Sequence, residues 1–259
     1  MREEDVPVWL PGWCADHVGG EPVAVLFVAR SMSAVFGLRL ADGRDVVVKA
    51  RKDRGRAASC VAVRSAEVFA RLMAELADVA VPPPVPSPRW ARRDHGDRRL
   101  WPAIGLLDGR DQSVVPAHVV RTARRARARL PAADLPRVLG HADFEAQNLR
   151  WRAGRVWVVH DWDSLAWQPE AALVGAACGT FANSPPPSLV PVESSAAFLG
   201  AYQVLRGRRF TAEELEVAWA ASLWPAAHNA RWEALHGDAP VCGEVVRAQA
   251  AERLRRANA

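Results

Sequence analysis

Apolar positions along this chain follow two rhythms, and the change from one to the other divides it. Between residues 23 and 49 the rhythm is that of strands. Val23–Ala29 is an unbroken apolar run, Val35–Leu40 a second, and Asp45–Lys49 (DVVVK) a third. Ala41-Asp42-Gly43-Arg44 separates the last two, and its Asp-Gly pair predicts a type I′ hairpin turn. Three strands and two turns make an antiparallel meander. From Val61 the period becomes helical: Ala62, Ala66, Phe69, Met73 and Leu76 recur on one face of a helix over Val61–Leu76.

The prolines of Val81–Pro88 (VPPPVPSP) exclude helix and stiffen a connector. The short apolar run Leu100–Leu107 follows a polar loop, and a domain boundary is expected near Asp108–Gln112. Two lobes result, 1–108 and 109–259. Backbone groups of Ile104–Leu107 would lie where they could meet an adenine edge.

Beyond the boundary helices are predicted over Val119–Leu130, Glu170–Thr180, Ser194–Arg206, Thr211 to about Trp224, Ala226–His236 and Gly243–Arg256. Thr211 and Glu214 form a capping box that opens the fourth. One hairpin interrupts this helical stretch: Leu149–Trp151 and Val156–Val159 are strands joined across Ala153-Gly154. The fold class is α+β, with a small N-terminal antiparallel sheet plus helix and a larger, mostly helical C-terminal part.

Composition narrows the function classes. The 259 residues are half hydrophobic and 24% charged, a globular profile. No apolar run approaches the roughly 20 residues of a membrane span, and MREEDVPVWLPGW lacks the apolar core of a signal peptide. Four scattered cysteines without a C-x-x-C pair predict free thiols and no zinc site. A cytoplasmic location is expected, with no membrane partner. The net charge of +5 is carried largely by arginine runs such as Arg121–Arg129. No aromatic residues interleave that run as a base-stacking platform requires, so it reads as a solvated helix face and no nucleic-acid partner is expected.

The chemistry concentrates in Leu139–Asp163. The hairpin would bring Asn148, before its first strand, close to Asp161, after its second. An amide and a carboxylate there can share one Mg²⁺, which takes oxygen ligands and leaves others to phosphate and water. Asp143, on the loop entering the hairpin, could accept a proton from a hydroxyl. One base and two oxygen ligands suit phosphoryl transfer, which needs positioning and charge neutralisation more than covalent chemistry. Upstream, Lys49 closes an apolar strand, and Glu67 lies in the helix where it could pair with that lysine and hold it on nucleotide phosphates. The Arg30–Ala34 turn offers small residues, Ser31 and Ser33, whose backbone could approach phosphates, although it lacks the glycines of a phosphate cradle.

The run His141-x-Asp143-x-x-x-x-Asn148, then Asp161-Trp162-Asp163, resembles the catalytic signature of the aminoglycoside phosphotransferase and choline kinase-like family, which has the protein-kinase fold. With Lys49, Glu67 and the ADGRDVVVK hairpin in order, the resemblance spans roughly residues 23–181. It implies a two-lobed fold with a nucleotide-binding lobe (1–108) and a catalytic, acceptor-binding lobe (109–259). It further implies transfer of the γ-phosphate of ATP or GTP to a hydroxyl of a small molecule, an aminoglycoside or other antibiotic among the candidates. Asp143 would be the base or the orienter of the hydroxyl, Asn148 and Asp161 the Mg²⁺ ligands, and Lys49, oriented by Glu67, the phosphate grip. His141 would brace the catalytic loop, and Asp163 would either support the metal ligands from behind or assist with the metal itself.

Three features depart from the family pattern. Phe144-Glu145-Ala146-Gln147 replaces a His-Pro-Gly-like stretch, so Glu145 puts a negative charge beside the site, either for a cationic acceptor or as a solvated side chain. His160 stands where an aliphatic residue is usual and could tune the metal site. The segment before His141 is short. Two other classes remain as rivals: a catalytically silent kinase-like binding protein, and a His-Asp phosphohydrolase using His141, Asp143, His160 and Asp161 as ligands. For the acceptor, Glu193, Glu213, Glu214, Glu216, Glu233 and Asp238 are candidate ammonium partners and Trp219, Trp224 and Trp232 candidate walls. His228 and Asn229, after a Trp224-Pro225 break, are expected at a helix start. The oligomeric expectation is a monomer or homodimer.

Overall fold

The computed structural model describes residues 7–30, 33–51, 66–78, 99–131, 135–152, 155–181 and 189–259. Packing divides the chain into two compact units, Met1–Cys60 and Val61–Ala259. This division lies at 60–61, whereas the sequence places its boundary near Asp108–Gln112.

In the first unit a short helix, α1 (Leu10–Val18), precedes three strands, β1 (Pro22–Arg30), β2 (Ser33–Leu40) and β3 (Asp45–Arg51), paired antiparallel in sequence order. Leu10 and Cys14 of α1 pack with Phe36, Leu38 and Val48 in the core of the unit. The helix was not predicted, because Pro11 and Gly12 hide its period. Proline is tolerated there because the first turn has no partner for its N–H.

The β2–β3 turn is a hairpin of another kind than expected. A type I′ turn needs positive φ at two central residues, but only Gly43 has it (φ 85°). Leu40 N–H donates to the Arg44 carbonyl at 2.8 Å, leaving a three-residue loop, Ala41–Gly43. The Asp42 carboxylate accepts from the Arg44 N–H (3.0 Å) and Nε (2.6 Å), which favours an ordinary φ at Asp42.

The second unit contains α2 (Ala66–Ala77), the single-turn α3 (Gly105–Asp108), α4 (Ala117–Arg129), strands β4 (Arg137–His141), β5 (Leu149–Arg152), β6 (Arg155–Val159) and β7 (Leu165–Pro169), then α5 (Glu170–Thr180), α6 (Val192–Leu205), α7 (Ala212–His236) and α8 (Val241–Arg256). β5 and β6 form the predicted hairpin. β4 and β7, which flank it in sequence, pair antiparallel from Arg137↔Pro169 to His141↔Leu165. This second ladder was missed because five-residue strands ending in His141 and Pro169 carry too little alternation.

α7 is one helix where two were expected. Pro225 lies inside it, at a typical cost of about 3 kcal/mol for the lost hydrogen bond and ring clash. Burial offsets that cost: Trp219, Leu223 and Trp224 before the proline and Ala227, Ala230 and Leu235 after it belong to one core. α5 is buried along its whole length. Glu170 at its start is buried yet ionised. Burial pushes its carboxyl up, but bonds from Tyr202, Arg208 and Arg206 outweigh that and bring its pKa below the ordinary range. No described helix is long and apolar enough to cross a membrane.

α5 and α7 touch backbone to backbone. A Cβ on Gly175 would lie 2.2 Å from the Ala218 carbonyl oxygen, and one on Gly179 2.3 Å from that of Ser222. Gly175→Ala is therefore expected to destabilise the protein by about 3 kcal/mol or more, since the two helices must separate. Gly200→Ala, in α6 with nothing within 4 Å of the added Cβ, is expected to stabilise by about 0.5–1 kcal/mol. Urea unfolding of both variants checks the pair; equal effects would disprove the contact.

Candidate active site

The site begins where β4 stops. β4 runs on β7 as far as His141↔Leu165, and the Ala142 N–H donates to the Ser164 carbonyl at 2.9 Å. The chain then leaves the ladder for a loop that holds Asp143 and ends in a single 3₁₀ turn, Ala146–Asn148. β5 starts at once, so Asn148 sits at the mouth of the β5–β6 hairpin. The hairpin pairs Leu149 with Val159, and the His160 N–H donates to the Asn148 carbonyl at 2.7 Å. That bond brings the chain entering the hairpin beside the chain leaving it, with Asp161 next along.

Asn148 reaches back to the loop. Its Nδ2 donates to the Asp143 carbonyl (2.8 Å) and to Asp143 Oδ2 (3.1 Å). These acceptors fix the amide's orientation and leave Oδ1 as its remaining polar atom. Asp143, Asn148 and Asp161 are all half-buried. Asp161 adopts a left-handed conformation (φ 67°), unusual for a residue other than glycine. The turn after it, Trp162–Ser164, closes with Ser164 N–H on the Asp161 carbonyl at 2.9 Å and leads directly into β7.

His141 ties the two halves together. Its ring is buried, with Nε2 2.7 Å from the His160 carbonyl and Nδ1 accepting the Asp143 N–H at 3.3 Å. A carbonyl can only accept, so Nε2 carries the proton and Nδ1 is bare. Both nitrogens are thus engaged by backbone, and His141 cannot serve as a metal ligand, as the phosphohydrolase reading requires, without breaking one of these bonds. Burial lowers its pKa below the ordinary range, against the His160 carbonyl and the charges of Asp143 and Asp163.

A Mg²⁺ ion fits the donor set here: the Asn148 amide oxygen and the Asp161 carboxylate are hard oxygen ligands at adjoining backbone positions. Among the described residues, no group of three or more His, Cys, Asp or Glu is arranged to hold a metal by itself. Any ion would depend on substrate oxygens or water for the rest of its shell.

The expected nucleotide-binding residues are spread over both units. Lys49 lies on β3 opposite Val35, Ser33 on β2 opposite Arg51, and Glu67 in α2; their side chains, and all of Ser31, lie outside the described residues. Of the Ile104–Leu107 backbone groups, those of Ile104 are already used. The Ile104 N–H donates to Asp108 Oδ2 (3.0 Å), and its carbonyl accepts from Leu107 and Asp108. Those groups are occupied and are not available to a base edge.

Glu145 is neither solvated nor open. It is buried, its Oε2 accepts from Gln147 Nε2 at 2.6 Å, and its charge is felt by the Cys242 thiol at the start of α8. Glu233, one of the candidate ammonium partners, is already engaged: its carboxylate accepts the Cys242 (2.8 Å) and Gly243 (3.1 Å) N–H groups. His228 and Asn229 stand mid-helix in α7 rather than at a helix start.

Sequence reading missed Arg231. It is 2% exposed and holds the 101–112 segment, with Nη2 on Asp108 Oδ1 and Nε on Gln112 Oε1, both at 3.0 Å. Gln112 in turn donates to the Leu107 and Arg110 carbonyls. An arginine in an Ala-rich helix carries no sequence signal of such a role.

No family model matches this sequence, and no curated protein does. Solved structures match nearly end to end. A protein provisionally named fructosamine-3-kinase from Thermobifida fusca YX-ER1 is matched over 96% of this chain and 98% of its own, at 16% identity and a TM-score of 0.55. One provisionally named aminoglycoside phosphotransferase, from Ralstonia eutropha JMP134, is matched over 96% and 97%, at 13% identity and 0.52. An amicoumacin kinase in complex with AMP-PNP, Ca²⁺ and Ami is matched over 92% and 90%, at 11% identity and 0.55. At such identities the likeness is one of fold, and the fold is that of the protein-kinase-like phosphotransferases.

The His141 brace gives a pH dependence with a defined sign. Because the folded imidazole titrates below its ordinary 6.5, the unfolded chain takes up the proton first. The stability His141 contributes is complete above that value and falls as pH drops below it. Urea midpoints at pH 7.5 and 5.5 should show the loss. His141→Gln, which cannot titrate, should have a shallower acid slope; an unchanged slope would remove His141 from the account.

Proposed function

We propose that this protein is a small-molecule O-phosphotransferase. It would move the γ-phosphate of a Mg²⁺-bound nucleoside triphosphate, ATP or GTP, to a hydroxyl of an acceptor. The observation that carries the reading is Asn148, whose side-chain amide nitrogen donates to Asp143 while its main-chain carbonyl accepts the His160 N–H, one residue before Asp161. One residue thereby joins the candidate base to the candidate metal ligands. The fold supports it, as does the presence of a nucleotide analogue and a divalent cation in the amicoumacin kinase complex.

The roles follow from the chemistry of each group. Asp143 Oδ2 is held by Asn148, so Oδ1 receives the acceptor hydroxyl and takes its proton. The hydroxyl oxygen forms a bond to the γ-phosphorus as the bond to the β–γ bridging oxygen breaks, and that oxygen leaves with the electron pair on the nucleoside diphosphate. Asn148 Oδ1 and the Asp161 carboxylate would hold Mg²⁺, which when bound neutralises charge on the phosphate oxygens. Lys49, oriented by Glu67, would grip the phosphates, with the Ser31–Ser33 backbone beside them. His141 keeps Asp143 in place rather than touching substrate. Transfer to an antibiotic, and with it a resistance role in the cytoplasm, is one branch of this proposal. Action as a monomer or homodimer belongs to it too.

Asp143→Ala should lower acceptor-dependent nucleoside diphosphate release by about 10²–10⁴-fold, the usual worth of a positioned base, while nucleotide binding persists. Asp161→Asn should weaken Mg²⁺-dependent nucleotide binding itself, and removing divalent cations with EDTA should abolish turnover. Coupled-assay kinetics and calorimetry on the full chain, with aminoglycosides, amino alcohols and sugars as acceptors, separate these effects. An intact protein that binds neither Mg-ATP nor Mg-GTP at millimolar concentration overturns the proposal.

A further inference from the structure

The connector segment and the second half of α7 enclose a polar pair that the proposed reaction does not use. Trp101 is its hub. The Trp101 ring centroid lies 5.4 Å from that of Trp224 and 6.2 Å from the His228 ring, and the Arg231 guanidinium carbon lies 5.4 Å from it. His228 and Arg231 stand three residues apart on α7, so both side chains face the same neighbour.

Each carries a buried nitrogen without a hydrogen-bond partner: Nε2 of His228 and Nη1 of Arg231. The other Arg231 nitrogens are engaged by Asp108 and Gln112, as described above. A buried donor or acceptor left unmade costs about 1–3 kcal/mol, and two on one aromatic wall call for something that satisfies both.

We propose that Trp101, Trp224, His228 and Arg231 form a binding subsite for an uncharged ring that carries hydroxyl groups, such as a sugar. The donor and acceptor pattern selects the hydroxyl. Arg231 can only donate, while an imidazole with its proton on Nδ1 accepts at Nε2, and a hydroxyl accepts from the first and donates to the second through a single atom. Burial and the Arg231 charge hold the His228 pKa down at about 4, so the ring stays neutral near pH 7. The charge pattern selects the uncharged ring. Arg231 already has its counterion in Asp108, so an added carboxylate would compete with that pair, and an ammonium group would meet a guanidinium. Trp101 and Trp224, packed on each other with centroids 5.4 Å apart, supply the apolar surroundings of the pair.

The site's place suggests its role. Two residues beyond Arg231, Glu233 holds the start of α8, where Cys242 senses both Glu233 and Glu145 of the catalytic loop. The subsite would then hold the part of the acceptor remote from the reacting hydroxyl. That role rests on the phosphotransferase reading; the binding itself does not. The acceptor would be a neutral polyhydroxylated ring rather than a polyamine.

The test uses the full chain without nucleotide, with ¹⁵N-histidine labelling. Methyl β-D-glucopyranoside should shift the His228 imidazole resonance saturably, and the cationic 2-deoxystreptamine should bind at least about tenfold more weakly. His228→Phe should lose the glucoside response, and His228→Gln, which can still accept and donate, should retain most of it by calorimetry. Equal or tighter binding of 2-deoxystreptamine overturns the inference. So does the absence of any saturable shift up to roughly 100 mM glucoside, which would mean that the pair holds ordered water only. Failure of Mg-nucleotide binding would sink the phosphotransferase reading and leave this readout unchanged, so the two failures are distinguishable.

Discussion

The contact on which the second unit depends is the one between α5 and α7 at Gly175 and Gly179. Two helices whose backbones meet without intervening side chains have one relative position, and any Cβ at either glycine forces them apart. That position propagates. α5 follows β7 with no loop between them, β7 fixes β4 through five paired residues, and β4 delivers His141 to the mouth of the hairpin. The Asp143 loop therefore inherits its place from a helix contact that shares no residue with it. α7 carries the same constraint the other way, to Arg231 and the connector segment. One packing decision thus locates both the Asp143 loop and the Trp101 cluster.

Within the loop the geometry is held by backbone groups more than by side-chain pairs. His141 joins the Asp143 N–H to the His160 carbonyl, Asn148 joins its own carbonyl to the His160 N–H, and Ala142 and Ser164 close the ladder beneath. This arrangement fixes the Asp143 loop against the chain that leaves the hairpin, since its half-buried bonds tie neighbouring backbone segments together. It also accounts for a histidine at residue 160. The loop uses that residue's N–H and carbonyl, which every residue except proline supplies.

Much of this was legible in the sequence, and the limits have physical causes. The meander, the hairpin, the helix over Glu170–Thr180 and the Thr211 capping box were all readable from local period and turn chemistry, and those elements are present. The β4–β7 ladder was not, because its strands are short and pair across 23 intervening residues, a separation no local pattern reports. Pro225 was read as a break because propensity is local, whereas the burial that overrides it is not. The residues of the candidate site stood out because they recur at a spacing tied to one hairpin. Arg231, Asp108 and Gln112 did not, since their partners lie more than a hundred residues apart.

Glu145 shows why position alone misleads at such a site. A carboxylate two residues from the proposed base ought to oppose the proposed reaction: at 4 Å two like charges repel by about 1 kcal/mol in water and about 4 at an effective dielectric of 20. From sequence the charge could be excused only as solvated or as a partner for a cationic acceptor. The fold offers a third outcome. The side chain turns inward, takes the Gln147 amide, and directs its charge toward the N-terminus of α8, where the helix dipole is favourable to an anion. Glu233 already caps that same end. Two carboxylates thus converge on one helix start, and the Cys242 thiol between them is pushed up first by burial and then by both charges. The charge that the sequence places at residue 145 therefore acts on the start of α8, through Cys242.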